Sequence, residues 1–243
     1  MNSRLRALIR GEFVRLNRYN LFAASFVVSL FYVLMASFID DAMVLGVMPF
    51  IFLLDSTMMT SLLVGATLFY EKKEHTVNSI MVTPASSDEY VTAKLVTSIA
   101  TSLFTVVFVS LALYALKGVT YKYAHVIFAA VAVTSLHTMI GVRIAYSAKN
   151  FTSMLIGFML YVTVFMFPSV LAMTGVIGPK LADFLVILPL ETSANLMRAG
   201  FGPGVEPWKI VFGYLYITAL TLLLYFFAVK PRFAEYMMRE MGV

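Results

Sequence analysis

Few residues in this chain have the type and setting that chemistry requires. Asp55 lies near the middle of one long apolar stretch and His137 near the middle of another, while Glu191 follows Pro189 where a short helix could begin. A carboxylate at the centre of a membrane span costs at least about 2.5–3.5 kcal/mol, so Asp55 is expected to face a bundle interior or a wet cavity. There it either meets a substrate or proton, or is held by hydroxyls such as Ser56, Thr57 or one on another span. His137 has the same two readings, as a pathway group or as a neutral ring bonded to a Ser or Thr. Glu191 lines an outer gate or caps the helix that follows it. The three His have no ligand-like spacing and Cys is absent, so disulfides and thiolate sites are excluded and no metal site is expected. Neither G-x-x-x-x-G-K-[ST] nor H-E-x-x-H occurs. No catalytic residue is assigned, and the chain is not expected to be an enzyme or to bind a cofactor itself.

The elements that must position these residues are apolar. Six long stretches, roughly 21–39, 43–69, 94–116, 123–146, 151–174 and 208–229, fill most of the sequence. A helix crosses about 30 Å of hydrocarbon with about 20 mostly apolar residues. Charged residues make up 13 % of the chain, against about 25 % in a soluble domain. The expected fold is an all-α membrane protein with six transmembrane helices forming a single domain over residues 1–243.

Charge fixes the expected orientation. Most Lys and Arg lie before the first stretch, between the second and third, around the fourth-to-fifth connection, and after the sixth. The positive-inside rule then places both termini in the cytoplasm, in a plasma (inner) membrane. The net charge of +5 concentrates on that face and suits anionic lipid; no nucleic-acid partner is expected.

Three non-spanning segments carry pattern. In residues 1–19, Leu5, Leu8, Ile9, Phe13 and Leu16 share one helical face, and Arg4, Arg6, Arg10, Arg15 and Arg18 the other. This predicts an interfacial amphipathic helix. Glu12 falls inside the apolar arc and is expected to pair with a basic group on another element. In residues 70–84, the polar run Glu71, Lys72, Lys73, Glu74, His75, Thr76 precedes Val77, Ile80 and Met81 at helical spacing. A short helix should end before Pro84, and Ser86 with Glu89 reads as a capping box opening the next helix. Residues 175–207 alternate apolar runs with Gly and Pro, which suggests a re-entrant helical hairpin; broken backbone at membrane depth survives only inside protein or beside a cavity.

This layout resembles the membrane subunit of a type-2 ABC exporter. The resemblance covers the whole chain, and its most specific part is the elbow: Tyr70-Glu71-Lys72-Lys73-Glu74, Thr76, Ile80-Met81-Val82, Thr83-Pro84 and Lys94, with His75 where Gly is common. The run Leu188-Pro189-Leu190-Glu191 followed by Arg198 is similar to the family's extracellular re-entrant segment. The resemblance implies that two permease subunits pair, as a homo- or heterodimer, and that each docks on a separate ATPase subunit. That partner would hold ATP and Mg. Residues 70–84 would act as the coupling helix, with Glu71 to Thr76 as its ATPase-coupling residues. Short chains of this kind resemble drug or antibiotic export permeases, and others move lipids, polysaccharides or peptides. The alternative, a stand-alone secondary transporter or channel, calls for several midplane ionisable groups and an internal repeat. The sequence offers one central Asp and no convincing repeat.

Overall fold

A computed structural model describes residues 3–74, 76, 83–173 and 176–241. Among the described residues the chain is helical, with no strand. Helix α1 spans Ser3–Arg18 and α2 spans Leu21–Ser37, with a 66° bend between them. The bend is made at Asn20, whose φ of 56° is left-handed, a conformation Asn tolerates better than most residues. Helices α3 (Asp41–Leu54) and α4 (Thr60–Lys73) are joined through one π-helical turn, Asp55–Met59, into a continuous apolar helix.

Helix α5 (Ser87–Lys117) opens on the capping box expected from sequence: Ser86 Oγ accepts from the Glu89 N–H, and the Glu89 carboxylate accepts from the Ser86 N–H. It ends at Gly118, where φ is 64° and a side chain would be strained. Helices α6 (Tyr123–Ser147) and α7 (Phe151–Met173) follow. The broken segment contains α8 (Pro179–Phe184), a 3-10 turn (Leu185–Ile187) and α9 (Pro189–Ala199). Pro189 starts α9 at a position where its missing N–H costs nothing. Helix α10 (Pro207–Leu223) passes through a second π turn, Leu224–Val229, into α11 (Lys230–Met241).

Among the described residues, five helices are long and apolar enough to cross a membrane: Asp41–Lys73, Ser87–Lys117, Tyr123–Ser147, Phe151–Ser169 and Pro207–Tyr236. A sixth span results if the bent pair α1 and α2 is taken as one; α2 alone has 17 residues. The second span is longer than the sequence suggested, so Glu71, Lys72 and Lys73 form the last turn of α4 and are not part of a separate elbow helix. Of the elbow, His75 and residues 77–82 lie outside the described residues.

Helix α6 sits at the centre. Ala129, Ala130, Val133 and Leu136 are fully buried, and its neighbours are α4, α5, α9 and α10. Small residues let the backbones approach. A Cβ on Gly141 would stand 3.1 Å from Ser61 Cα, closer than ordinary contact, so α4 and α6 meet there without a side chain between them. Helix α5 carries a ladder of buried hydroxyls, Thr97, Ser98, Thr101, Ser102 and Thr105. Most of them bond back to carbonyls one turn earlier, so their polarity is satisfied within the helix. By contrast α7 and α10 are largely exposed, through residues such as Met159, Leu160, Val164, Val211 and Leu215. Their apolar outer faces suit acyl chains or another membrane-embedded subunit.

Candidate functional site

Four charges meet where α1, α4 and α5 converge. Lys94 Nζ lies 2.9 Å from the Glu12 carboxylate and 2.7 Å from Glu71 Oε1, and it also donates to Thr67 Oγ1 at 3.3 Å. Arg15 pairs with Glu12 and reaches Glu71 Oε1 at 2.9 Å, while the Tyr90 hydroxyl donates to Glu71. Glu12, Glu71 and Lys94 are almost completely buried. Two cations against two carboxylates leave the cluster neutral. Burying ions costs several kcal/mol each, and only close pairing with extra hydrogen bonds offsets that. The cluster supplies both, and it ties three helices into one body. The sequence flagged Glu12 as needing a cation elsewhere; that cation is Lys94.

Glu71, expected among the coupling residues, turns its carboxylate into the bundle, where Lys94, Arg15 and Tyr90 hold it. Lys73 and Glu74 are exposed instead. Around them α1 and the turn after it touch both flanks of the elbow. At one end Tyr19 stacks on Tyr70 with ring centroids 4.2 Å apart, and Arg18 approaches Glu74 at 3.9 Å. At the other, Arg4 Nη1 donates to the Pro84 carbonyl at 3.0 Å. Arg6 and Arg10 stay exposed on the outer side of α1. Thr76 is half-buried, and His75 lies outside the described residues.

Asp55 and His137 are both buried, and neighbouring groups answer their polarity. Asp55 sits in the first π turn, with the Ser102 and Thr105 hydroxyls at its carboxyl. Adjacent bonds run from Ser56 to Ser102 at 3.0 Å and from Ser29 to Thr105 at 3.2 Å, linking α2, the π turn and α5. His137 Nδ1 faces the Val133 carbonyl at 2.9 Å and must carry the proton there. Nε2 is then the acceptor for the Tyr161 hydroxyl at 3.0 Å. The partner is a Tyr on α7, where the sequence suggested Ser or Thr.

The third candidate, Glu191, does line a cavity. A cleft of about 250 Å³ opens between α3, the π turn, α7 and α9. Its apolar walls include Phe50, Leu53, Met58 and Met166, and its polar groups are Thr57, Ser169, Glu191 and Arg198. A smaller void of about 120 Å³ shares Thr57, Met58 and Val162 with it and runs toward Tyr161. Neither Asp55 nor His137 lines either space. Glu191 stands in the first turn of α9, but its Oε1 accepts from Arg198 Nη2 at 2.7 Å, two turns along, and makes no capping bond to the backbone. Arg198 Nη2 also donates to Asn195 Oδ1 at 3.0 Å. The spacing of seven residues was a signal the sequence held, since it puts both charges on one face. The π turn, which swings Thr57 and Met58 to the cleft wall, had no such signal.

These features define a polytopic, all-helical membrane protein with an apolar cleft beside its second span. The family model of the fluoroquinolones export permease protein family matches residues 3–241, and the chain belongs to that family. It is similar to the fluoroquinolones export permease proteins of two Mycobacterium tuberculosis strains, CDC 1551 / Oshkosh and ATCC 25618 / H37Rv. Each is 26% identical over 198 residues, which is 80% of this chain and 80% of the relative. The chain is thus a membrane export permease, a transporter component by family and by architecture.

Proposed function

We propose that this chain is the permease subunit of an ATP-driven ABC exporter that moves fluoroquinolone-like drugs out across the plasma (inner) membrane. It works as a dimer with itself or a related permease, and each permease is powered by a separate ATPase subunit that holds ATP and Mg. Both termini are cytoplasmic, α1 is the interfacial helix, residues 70–84 form the coupling element, and α8 with α9 form the re-entrant segment before the last span. The substrate class is taken from the relatives' names, and the absent phosphate loop supports a separate ATPase.

One observation carries the coupling mechanism. Helix α1 and the turn that follows it touch both ends of the elbow, through Arg4–Pro84 and Tyr19–Tyr70, and α1 is locked by Lys94 to α4 and α5. A push on the elbow is therefore delivered to three helices together. Nucleotide-driven movement of the ATPase can shift the bundle only if its contacts differ between two states. Lys73 and Glu74 are the exposed charges placed to make such contacts. Helix α4 continues through the π turn to the cleft, so displacement at one end reaches the drug site at the other. The stand-alone transporter reading is disfavoured, because Asp55 and His137 are engaged by their neighbours away from the cleft.

The test is co-expression with candidate ATPase subunits and tandem purification in lipid. The reading expects a stable complex, no nucleotide hydrolysis by the permease alone, and hydrolysis stimulated by norfloxacin in the complex. Cells carrying both subunits should accumulate less norfloxacin than cells carrying the permease alone. Full drug export by the permease without any ATPase would overturn it.

A further inference from the structure

We propose that the cleft between α3, α7 and α9 binds a flat apolar zwitterion, with its ammonium group against Glu191 and its carboxylate against Arg198. The inference rests on the export reading above and supplies the site and charge pattern that reading lacks. A piperazinyl fluoroquinolone has this chemistry near neutral pH: a planar bicycle with one carboxylate and one ammonium group.

The two charges at the cleft form an ion pair with room left over. Arg198 commits Nη2 to Glu191 and Asn195 and turns Nε to the Ala194 carbonyl at 3.4 Å, which leaves Nη1 unpartnered among the described residues. Glu191 accepts through Oε1, and its Oε2 has no partner among the described residues. A zwitterion can add to both ends without breaking the pair, so neither charge is left unpaired in an apolar wall. A third polar group points the same way. Ser169 Oγ is buried with no hydrogen-bond partner, although serines in helices ordinarily bond back to a carbonyl one turn earlier. An orphaned hydroxyl of this kind is costly to leave buried, and a ligand acceptor or donor in the cleft that Ser169 lines offers it a partner.

The rest of the cleft suits the body of such a molecule. Drug-sized sites are mostly apolar with a few placed polar groups and occupy about 300–1,000 Å³. The main cleft of about 250 Å³ and the adjoining void of about 120 Å³ share a wall and together reach that range. Met58 and Met166 on facing walls give an adaptable surface. The π turn that forms one wall departs from regular helix at the cavity, where such departures frequently mark function. Phospholipids with an ammonium headgroup share the zwitterionic chemistry, so the experiment must separate drug from lipid.

The test measures binding to the purified permease in phosphatidylglycerol nanodiscs, which contain no zwitterionic lipid. The probes are norfloxacin, its methyl ester lacking the carboxylate, and its N-acetyl derivative lacking the ammonium group. Glu191→Gln should weaken norfloxacin and the ester about tenfold and leave the N-acetyl form unchanged; Arg198→Gln should weaken norfloxacin and the N-acetyl form and leave the ester unchanged. Met166→Trp, which fills the cleft without touching either charge, should weaken all three probes. Equal losses across the probes for both charge variants, or no loss with any variant, would overturn the proposal. So would phosphatidylethanolamine that displaces norfloxacin stoichiometrically, which would make lipid the occupant, and so would wild-type protein that fails to bind norfloxacin. Failure of the ATPase experiment with the probe pattern intact would remove the power source and leave the drug site standing.

Discussion

Lys94 on α5 stands 2.9 Å from Glu12 on α1, a pair separated by more than eighty residues in sequence and held inside the protein. With Glu71 at 2.7 Å, the same ammonium group closes a triangle across three helices. Its energetic role follows from what remains when it is removed.

Lys94→Met keeps the stem and deletes the charge, leaving two buried carboxylates to share Arg15. Breaking one partner of a buried pair costs about 3–5 kcal/mol. Thermal unfolding in detergent should show a loss of that size. Adding Glu12→Leu to Lys94→Met removes the surplus carboxylate and should recover part of the loss, because Arg15 and Glu71 then balance. A single variant within about 1 kcal/mol of wild type would show that the cluster is solvated.

Asp55 is set among hydroxyls on α5. Asp55→Asn retains hydrogen-bonding capacity in the same volume and should leave unfolding and export near wild type. Asp55→Leu removes the carboxyl that Ser102 and Thr105 face, at about 0.5–1.5 kcal/mol for each hydrogen bond lost, while Ser102 keeps its bond to Ser56 and Thr105 its bond to Ser29. The two variants should therefore separate in unfolding midpoint, and equal midpoints would mean these hydroxyls are satisfied by their other partners.

Tyr161→Phe removes the donor to His137 Nε2 and little else. The ring is then left with one bond, to Val133, and stability should fall by about 1–3 kcal/mol. Because Tyr161 also lines the smaller void, norfloxacin affinity measured on the same variant reports whether that void belongs to the drug site.

The parts legible in the sequence were those written in local pattern. Apolar length gave the long helices, Ser86 and Glu89 gave the start of α5, and a carboxylate on an apolar face gave away Glu12 as one half of a pair. What stayed hidden depends on tertiary contact or on small register shifts. Nothing local marks Lys94 as the partner of Glu12, since the pairing exists only once α1 lies against α5. The π turn at Asp55–Met59 inserts an extra residue into one turn, which hydrophobic periodicity does not resolve. Glu71 reads as the start of a polar elbow because four charged residues follow the apolar run. Its burial comes from α1 folding over it and bringing Arg15. The continuation of the last span into α11 is hidden because charged residues begin at Lys230; the structure buries its Tyr236 against Tyr146 at a centroid distance of 4.3 Å.

The elbow separates inward from outward charge, and that makes its role testable residue by residue. Glu71 is buried and ion-paired, whereas Lys73 and Glu74 face outward beside the segment expected to meet an ATPase. Glu71→Lys places a third cation against Lys94 and Arg15 and should fail at folding, read as lost yield or a lowered unfolding midpoint. Lys73→Glu and Glu74→Lys should fold normally, because exposed ion pairs contribute about 0.2–1 kcal/mol. If the elbow docks the ATPase, these two reversals should reduce ATPase capture about two- to fivefold, the range such exposed pairs support. Combined with Arg18→Glu, the Glu74→Lys variant should recover the α1 contact without recovering capture, which distinguishes docking from local stability. Unchanged capture and unchanged norfloxacin-stimulated hydrolysis in both reversed variants, with normal unfolding, would leave the elbow as a connecting loop and place coupling elsewhere on the protein.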